Sequence, residues 1–200
     1  YLLANFPDLN IACTEYCQMT NDPTTGVYDI SSPIPSDDPA RNGLEIEYGV
    51  QLARTIVEDL TIINATEWNW WTGCSGGYYP DGLVYVDYAN PDNIQTSKRL
   101  WALGNFSKFI QSGAVRVKIT EAQSSLISCA FKNPDNSLVI VYVNQTSADL
   151  KTNISATGYS KYSTYVTSAE KDLELNQNGA YALSNYISVP SQSVVTVVLK

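Results

Sequence analysis

Asn10-Ile11-Ala12-Cys13-Thr14-Glu15-Tyr16 is a short apolar run that ends in a carboxylate. It reads as a buried strand. A polar stretch over residues 18–38, rich in Asn, Asp, Thr, Ser and Pro, follows as a long loop, and loops of that length are usually functional. Over residues 39–60 the apolar residues Leu44, Tyr48, Leu52, Ile56 and Leu60 recur every fourth position. That spacing predicts an amphipathic helix. Residues 61–68 form a second strand candidate, which opens into Trp68-Asn69-Trp70-Trp71 and a loop over 72–80. Residues 81–86 are predicted to be extended. Residues 96–111 are predicted to be helical, with Leu100, Leu103, Phe106, Phe109 and Ile110 on one face. Thr96 or Ser97 can cap that helix, and Gly113 stands where a terminating glycine is expected.

The order strand–helix–strand–helix, with apolar strands and amphipathic helices, is the βα grammar of a parallel sheet or barrel. Two such units cannot close a barrel of eight. They are therefore expected to be its last two units, with the earlier ones upstream of Tyr1. From residue 114 the character changes. Short β-rich runs at 126–131, 137–143, 150–154, 162–167 and 194–199 alternate with turns at 133–136 and 176–179. This predicts a β-sandwich. The expected fold is thus α/β plus β. Residues 1–113 would supply the C-terminal units of a (β/α)8 TIM barrel, and residues 114–200 a β-sandwich side domain.

Composition narrows the chemistry. The net charge of −8 repels phosphate backbones, so no nucleic acid partner is expected. No apolar run reaches the length of a membrane span. The chain has no His, which removes a Ser-His-Asp triad and a His-ligated metal, and no glycine-rich phosphate loop. No metal and no cofactor are expected. Fourteen Tyr and four Trp leave flat aromatic faces with polar edges, which suit sugar rings.

Glu15 ends its strand just before the long loop, where a barrel carries catalytic residues. Regular alternation would put Glu15 on the face of Ile11 and Cys13, opposite Thr14 and Tyr16. A surface salt bridge is the alternative. Glu67 is read as ending the second strand in the same way, with Trp68 next. If Trp68 points inward as a sugar-stacking residue, Glu67 turns into the helix layer as a structural or supporting carboxylate. Trp68, Trp70 and Trp71 read either as barrel-to-loop packing or as an aromatic wall for a pyranose.

These segments together resemble glycoside hydrolase family 30. Cys13-Thr14-Glu15-Tyr16 is similar to that family's nucleophile strand, and Ala65-Thr66-Glu67-Trp68-Asn69-Trp70-Trp71 to its eighth-strand motif. Asp81-Gly82-Leu83-Val84-Tyr85 matches a segment found in part of the family. The run over residues 103–116, containing Gly104-Asn105-Phe106-Ser107-Lys108-Phe109-Ile110, resembles its last barrel helix and linker. Residues 128–132, 141–145 and 189–194 look like its side domain. The resemblance implies a retaining mechanism with Glu15 as nucleophile and Tyr16, Trp68, Trp70 and Trp71 as substrate-binding residues. The family's acid/base glutamate lies in an Asn-Glu-Pro motif, absent here. It is expected in upstream sequence, and this chain alone is expected to be inactive. Two departures stand out. Glu67 replaces a small residue, and Gln111-Ser112 replaces the usual Arg-Pro. The four Cys, Cys13, Cys17, Cys74 and Cys129, read first as buried thiols acting as small hydrophobes. A disulfide between Cys17 and Cys74, in loops at the same mouth, is the alternative, as an oxidising compartment allows.

The implied partner is a polysaccharide or oligosaccharide, and the implied location extracellular or secreted. The Asp81–Tyr85 segment leans towards a β-1,6-galactanase-like substrate. Xylan comes second, because no basic cluster for a glucuronic acid appendage is evident in the side domain. The rival class is a non-catalytic carbohydrate-binding protein with a degenerate barrel. Sequons stand at Asn64, Asn105, Asn144 and Asn153.

Overall fold

The computed structural model describes residue 5 and residues 9–17, 44–76, 81–87, 90–120 and 125–200. The long loop expected over 18–38 and the first residues of the predicted helix lie outside them. The chain forms two compact units. One comprises residues 1–44 and 54–97, and the other residues 45–53 and 98–200. The second helix therefore goes with the second unit rather than with residues 1–113.

In the first unit, strand β1 (Ala12–Tyr16) lies parallel to β2 (Glu67–Trp70). Strands β3 (Cys74–Ser75), β4 (Val84–Asp87) and β5 (Asn90–Thr96) form a second small sheet, parallel between β3 and β4 and antiparallel between β4 and β5. The helix before β2, α1, runs Ile46–Thr61 and buries Tyr48, Leu52 and Ile56, as its four-residue spacing dictates. The predicted second strand is displaced. Thr61 still belongs to the helix, and its hydroxyl donates to Val57 O at 2.6 Å. Ile62 and Ile63 are 71% and 43% exposed, and Asn64 turns the chain at φ 57°. The β-branched run over 61–63 is thus a helix end, and the strand is the aromatic segment itself. Glu67 begins that strand instead of ending it.

The second unit begins with the first half of α1 and continues with α2 (Lys98–Ser107). Gly49 is required where they meet, because a Cβ there would stand 2.8 Å from Lys98 O. Arg99 is fully buried, with its guanidinium 4.9 Å from the Tyr48 ring. Lys98 pairs with Asp172 at 2.7 Å.

Residues 115–199 form the sandwich, as read from sequence. Strands β6 (Val115–Val117), β7 (Leu126–Lys132), β8 (Leu138–Asn144), β10 (Lys161–Thr167), β11 (Glu174–Ala180) and β13 (Ser193–Leu199) make a six-stranded antiparallel sheet in the order β11-β10-β13-β8-β7-β6. Strands β9 (Leu150–Asn153) and β12 (Tyr186–Val189) make a two-stranded antiparallel sheet. Ile140, Val166, Ile187, Val189, Val195 and Val197 form the core. The turn predicted at 133–136 joins β7 to β8. Asn136 adopts φ 66° and donates its N–H to Asn133 O. Gly113 adopts φ 82° in the turn leading to β6. The turn predicted at 176–179 is instead the middle of β11. That strand is an edge of polar, mostly exposed residues, so it carries no apolar alternation. Among the described residues, no helix is long and apolar enough to cross a membrane.

One buried amide ties α2 to the sandwich. Asn105 Nδ2 donates to Thr167 Oγ1 at 2.6 Å and to Trp101 O at 3.0 Å, while Thr196 Oγ1 donates to Asn105 Oδ1 at 2.9 Å. Asn105 is fully buried, as is Asn144, whose amide donates to Ala148 O and Pro190 O. Neither sequon is presented to solvent. Asn64 and Asn153 are exposed.

Two predictions follow from this packing. Asn105→Ala removes the donor to the buried Thr167 hydroxyl, while the Thr196 hydroxyl keeps the main-chain carbonyl of residue 105 at 2.7 Å. It should cost about 1–3 kcal/mol, read as a lower denaturant midpoint at unchanged m-value. Burial pushes the Cys129 thiol up to about 12, against the opposing charge of Arg116. The folded protein then keeps a proton that the unfolded chain loses above about pH 9. This stabilisation is complete below pH 9 and falls by up to about 1.4 kcal/mol per pH unit towards pH 12. Cys129→Ala should reduce that alkaline slope by the equivalent of one proton, measured by urea melts at pH 9–11.

Candidate active site

The site is set by the register of β1 on β2. Ala12 lies opposite Glu67, Cys13 opposite Trp68, and Tyr16 opposite Trp70. Between the last two pairs β1 has two residues, Thr14 and Glu15, and β2 has one, Asn69. This is a β-bulge, and it breaks the alternation assumed from sequence. Cys13 and Tyr16 now share a face, although three positions apart. The Tyr16 ring lies 5.6 Å from Trp68 and 5.9 Å from Trp70. All four residues are half-buried. Ala12, Thr14, Glu15, Glu67 and Asn69 are exposed on the other side.

The buried face is the one turned to α1. Trp68 Nε1 donates to Asp59 Oδ2 at 2.8 Å, and the same carboxylate acts on Cys13. The Cys13 thiol is pushed up by burial first and by the negative charge of Asp59 second. Trp70 Nε1 donates to Asp81 O at 2.7 Å. Two expectations are therefore reversed. Trp68 does not point inward: it faces the helix, and Glu67 lies on the open face. Glu15 does not share a face with Cys13, because the bulge turns it to the open side.

Of the four aromatic residues expected to meet sugar, Tyr16, Trp68 and Trp70 pack with one another on the helix side. Trp71 remains 54% exposed. Its N–H donates to Tyr16 O at 2.9 Å, continuing the parallel ladder one residue past β2. Alternation then carries its side chain to the face of Glu67 and Asn69. Because β1 and β2 are parallel, Glu15 and Trp71 lie at the same end of the sheet.

Asn69 is a residue that sequence reading passed over. It sits opposite the bulge, and its Nδ2 donates to Glu67 Oε1 at 2.9 Å and to Cys13 O at 3.4 Å. Its position at i+2 from Glu67 was the available signal. The Cys17–Cys74 bridge is not formed in this structure. Among the described residues, no group of three His, Cys, Asp or Glu side chains is gathered as a metal site.

The open face of the β1–β2 pair thus presents the Glu15 carboxylate at the bulge and, at the same end of the sheet, the exposed Trp71. Comparison with known proteins gives the family. Residues 4–85 match the model described as O-glycosyl hydrolase family 30, and residues 113–197 match the family 30 β-sandwich domain. The chain belongs to glycoside hydrolase family 30, of which it carries a catalytic-barrel segment and the sandwich domain.

It is 31% identical over 115 residues to the lysosomal acid glucosylceramidase of Mus musculus, covering 54% of this chain and 22% of that protein. A conserved exported protein from Bacteroides fragilis superposes with a TM-score of 0.77 at 25% identity, over 98% of this chain and 40% of that one. The family 30 subfamily 8 xylanase of Clostridium acetobutylicum superposes with a TM-score of 0.74 at 26% identity, over 100% of this chain and 45% of that one. The chain thus spans less than half the length of these relatives.

The Asp59 contact is testable. Asp59→Ala should strand the Trp68 indole N–H, destabilise the protein by about 1–2 kcal/mol and red-shift tryptophan emission. Asp59→Asn, which keeps an acceptor, should recover most of both.

Proposed function

We propose that the full-length protein is a retaining glycosidase of plant or microbial polysaccharide in which Glu15 is the nucleophile. The observation that supports this most is the β1 bulge, which presents Glu15 on the open face at the C-terminal end of a parallel pair. In the first step the Glu15 carboxylate attacks the anomeric carbon and forms a glycosyl-enzyme. The leaving oxygen takes a proton from an acid/base glutamate supplied by sequence outside this chain. In the second step that glutamate draws a proton from water, which displaces Glu15. Trp71 offers an aromatic wall for the sugar at the reacting bond. Tyr16, Trp68 and Trp70 hold the strands rather than the sugar. Glu67 acts from beneath, holding the Asn69 amide level with the bulge. The likeness to a xylanase favours a xylan-like β-linked backbone, and the Asp81–Tyr85 segment keeps β-1,6-galactan beside it. An exported relative supports action outside the cell.

Glu15→Gln in the full-length protein should lower kcat by on the order of 10³-fold or more on a xylan and β-1,6-galactan panel, with an unchanged melting temperature. Undiminished turnover would reject Glu15. Sugar binding by the wild type with no turnover of any glycan would favour the non-catalytic carbohydrate-binding reading.

A further inference from the structure

The second unit carries a basic and aromatic patch on the six-stranded sheet. Phe109 and Tyr165 stack with ring centroids 4.5 Å apart, and Lys108 Nζ lies 5.7 and 5.6 Å from the two rings. Beside them a cavity of about 290 Å³ is lined by Phe109, Lys161, Ser163, Tyr165, Val198 and Lys200. A second one of about 420 Å³ shares Lys161 and Ser163 and runs to Asn178 on β11. Together they make a groove across β13, β10 and β11.

Lys108, Lys161 and Lys200 are exposed. They are three of the twelve Lys and Arg in a chain of net charge −8. Neither ion pair found among the described residues involves any of them. Asp135 is the acidic group that senses Lys200. Its carboxyl is held below the usual range first by hydrogen bonds from the Ser137 hydroxyl and N–H, then by Gln111 and the charge of Lys200. The sequence hid this cluster, because its members are up to 92 positions apart, from Lys108 to Lys200.

We propose that this groove is a non-catalytic binding site for an acidic polysaccharide, taking a uronic acid residue. Its carboxylate would lie between Lys161 and Lys200, and the apolar face of its ring against Tyr165. Ser163 supplies a hydroxyl for a ring oxygen or hydroxyl. Exposed lysines outside the ion pairs attract anions, and an aromatic face selects a flat apolar ring over a bare phosphate. The kind of ligand rests on the carbohydrate reading above. The site itself does not depend on Glu15.

The test uses full-length protein carrying Glu15→Gln, so that binding is read without hydrolysis. Retardation in gels containing polygalacturonate or glucuronoxylan is compared with gels containing a neutral glucan. Retardation by the acidic polymers alone is expected, with about tenfold weaker apparent affinity in a Lys161→Gln, Lys200→Gln variant and steep weakening by salt. In a Glu15 background, that variant should keep wild-type turnover of a small aryl glycoside. Equal retardation by neutral and acidic polymers, equal retention by the variant, no retardation at all, or equal binding of polyphosphate and DNA would each overturn the proposal. If Glu15→Gln itself remained active, the catalytic reading would fail while the binding result still stood.

Discussion

The hydrogen bond from Trp68 to Asp59 decides how the candidate site is built. It fixes which face of the β1–β2 pair belongs to the helix, and both Cys13 and Tyr16 must then be accommodated on that face. A regular strand cannot do this with residues three apart. The chain resolves the conflict with one extra residue in β1, opposite Asn69, and so turns Glu15 away from the helix. A carboxylate packed against Asp59 would face like charge and desolvation together, and the bulge removes it from both. Local packing on one face thus sets the chemistry available on the other.

Much of the architecture was legible in residue patterns, and the failures have physical causes. Strands β7, β8, β10 and β13 are dense in Val, Ile and Tyr, so their inner faces are legible without any structure. Strand β11 is not, because an edge strand exposed on both sides needs no apolar alternation. The run Thr61-Ile62-Ile63 has the composition of a strand, yet Thr61 closes a helix through a hydroxyl bond to Val57 O. Glu15 was picked out correctly as a strand-end carboxylate, but its face was misjudged. A bulge is a property of two strands in register and leaves no mark on the alternation of one. Trp68 and Glu67 were inverted for another reason: β2 alternates regularly, and the hydrogen bond from Trp68 to Asp59 decides which of its faces meets the helix. The lysine groove on the sandwich could not be read at all, since it joins residues from a helix end, two strands and the last position of the chain.

Family membership and the geometry of the open face complement each other. Membership accounts for a catalytic-barrel segment and a sandwich domain. The structure adds that Tyr16, Trp68 and Trp70 pack together, that Trp71 is exposed, and that Glu67 and Asn69 form a polar pair on the open face. A carboxylate stands at position 67, where the family resemblance leads one to expect a small residue.

The central claim is that Glu15, and not Glu67, attacks the sugar. Treating the full-length protein with a 2-fluoro glycoside of its substrate slows breakdown of the glycosyl-enzyme, because the fluorine destabilises the oxocarbenium-like transition state. Peptide mass spectrometry then locates the adduct. The account predicts a fluoro-glycosyl group on Glu15, whereas an adduct on Glu67 or on any other residue would contradict it.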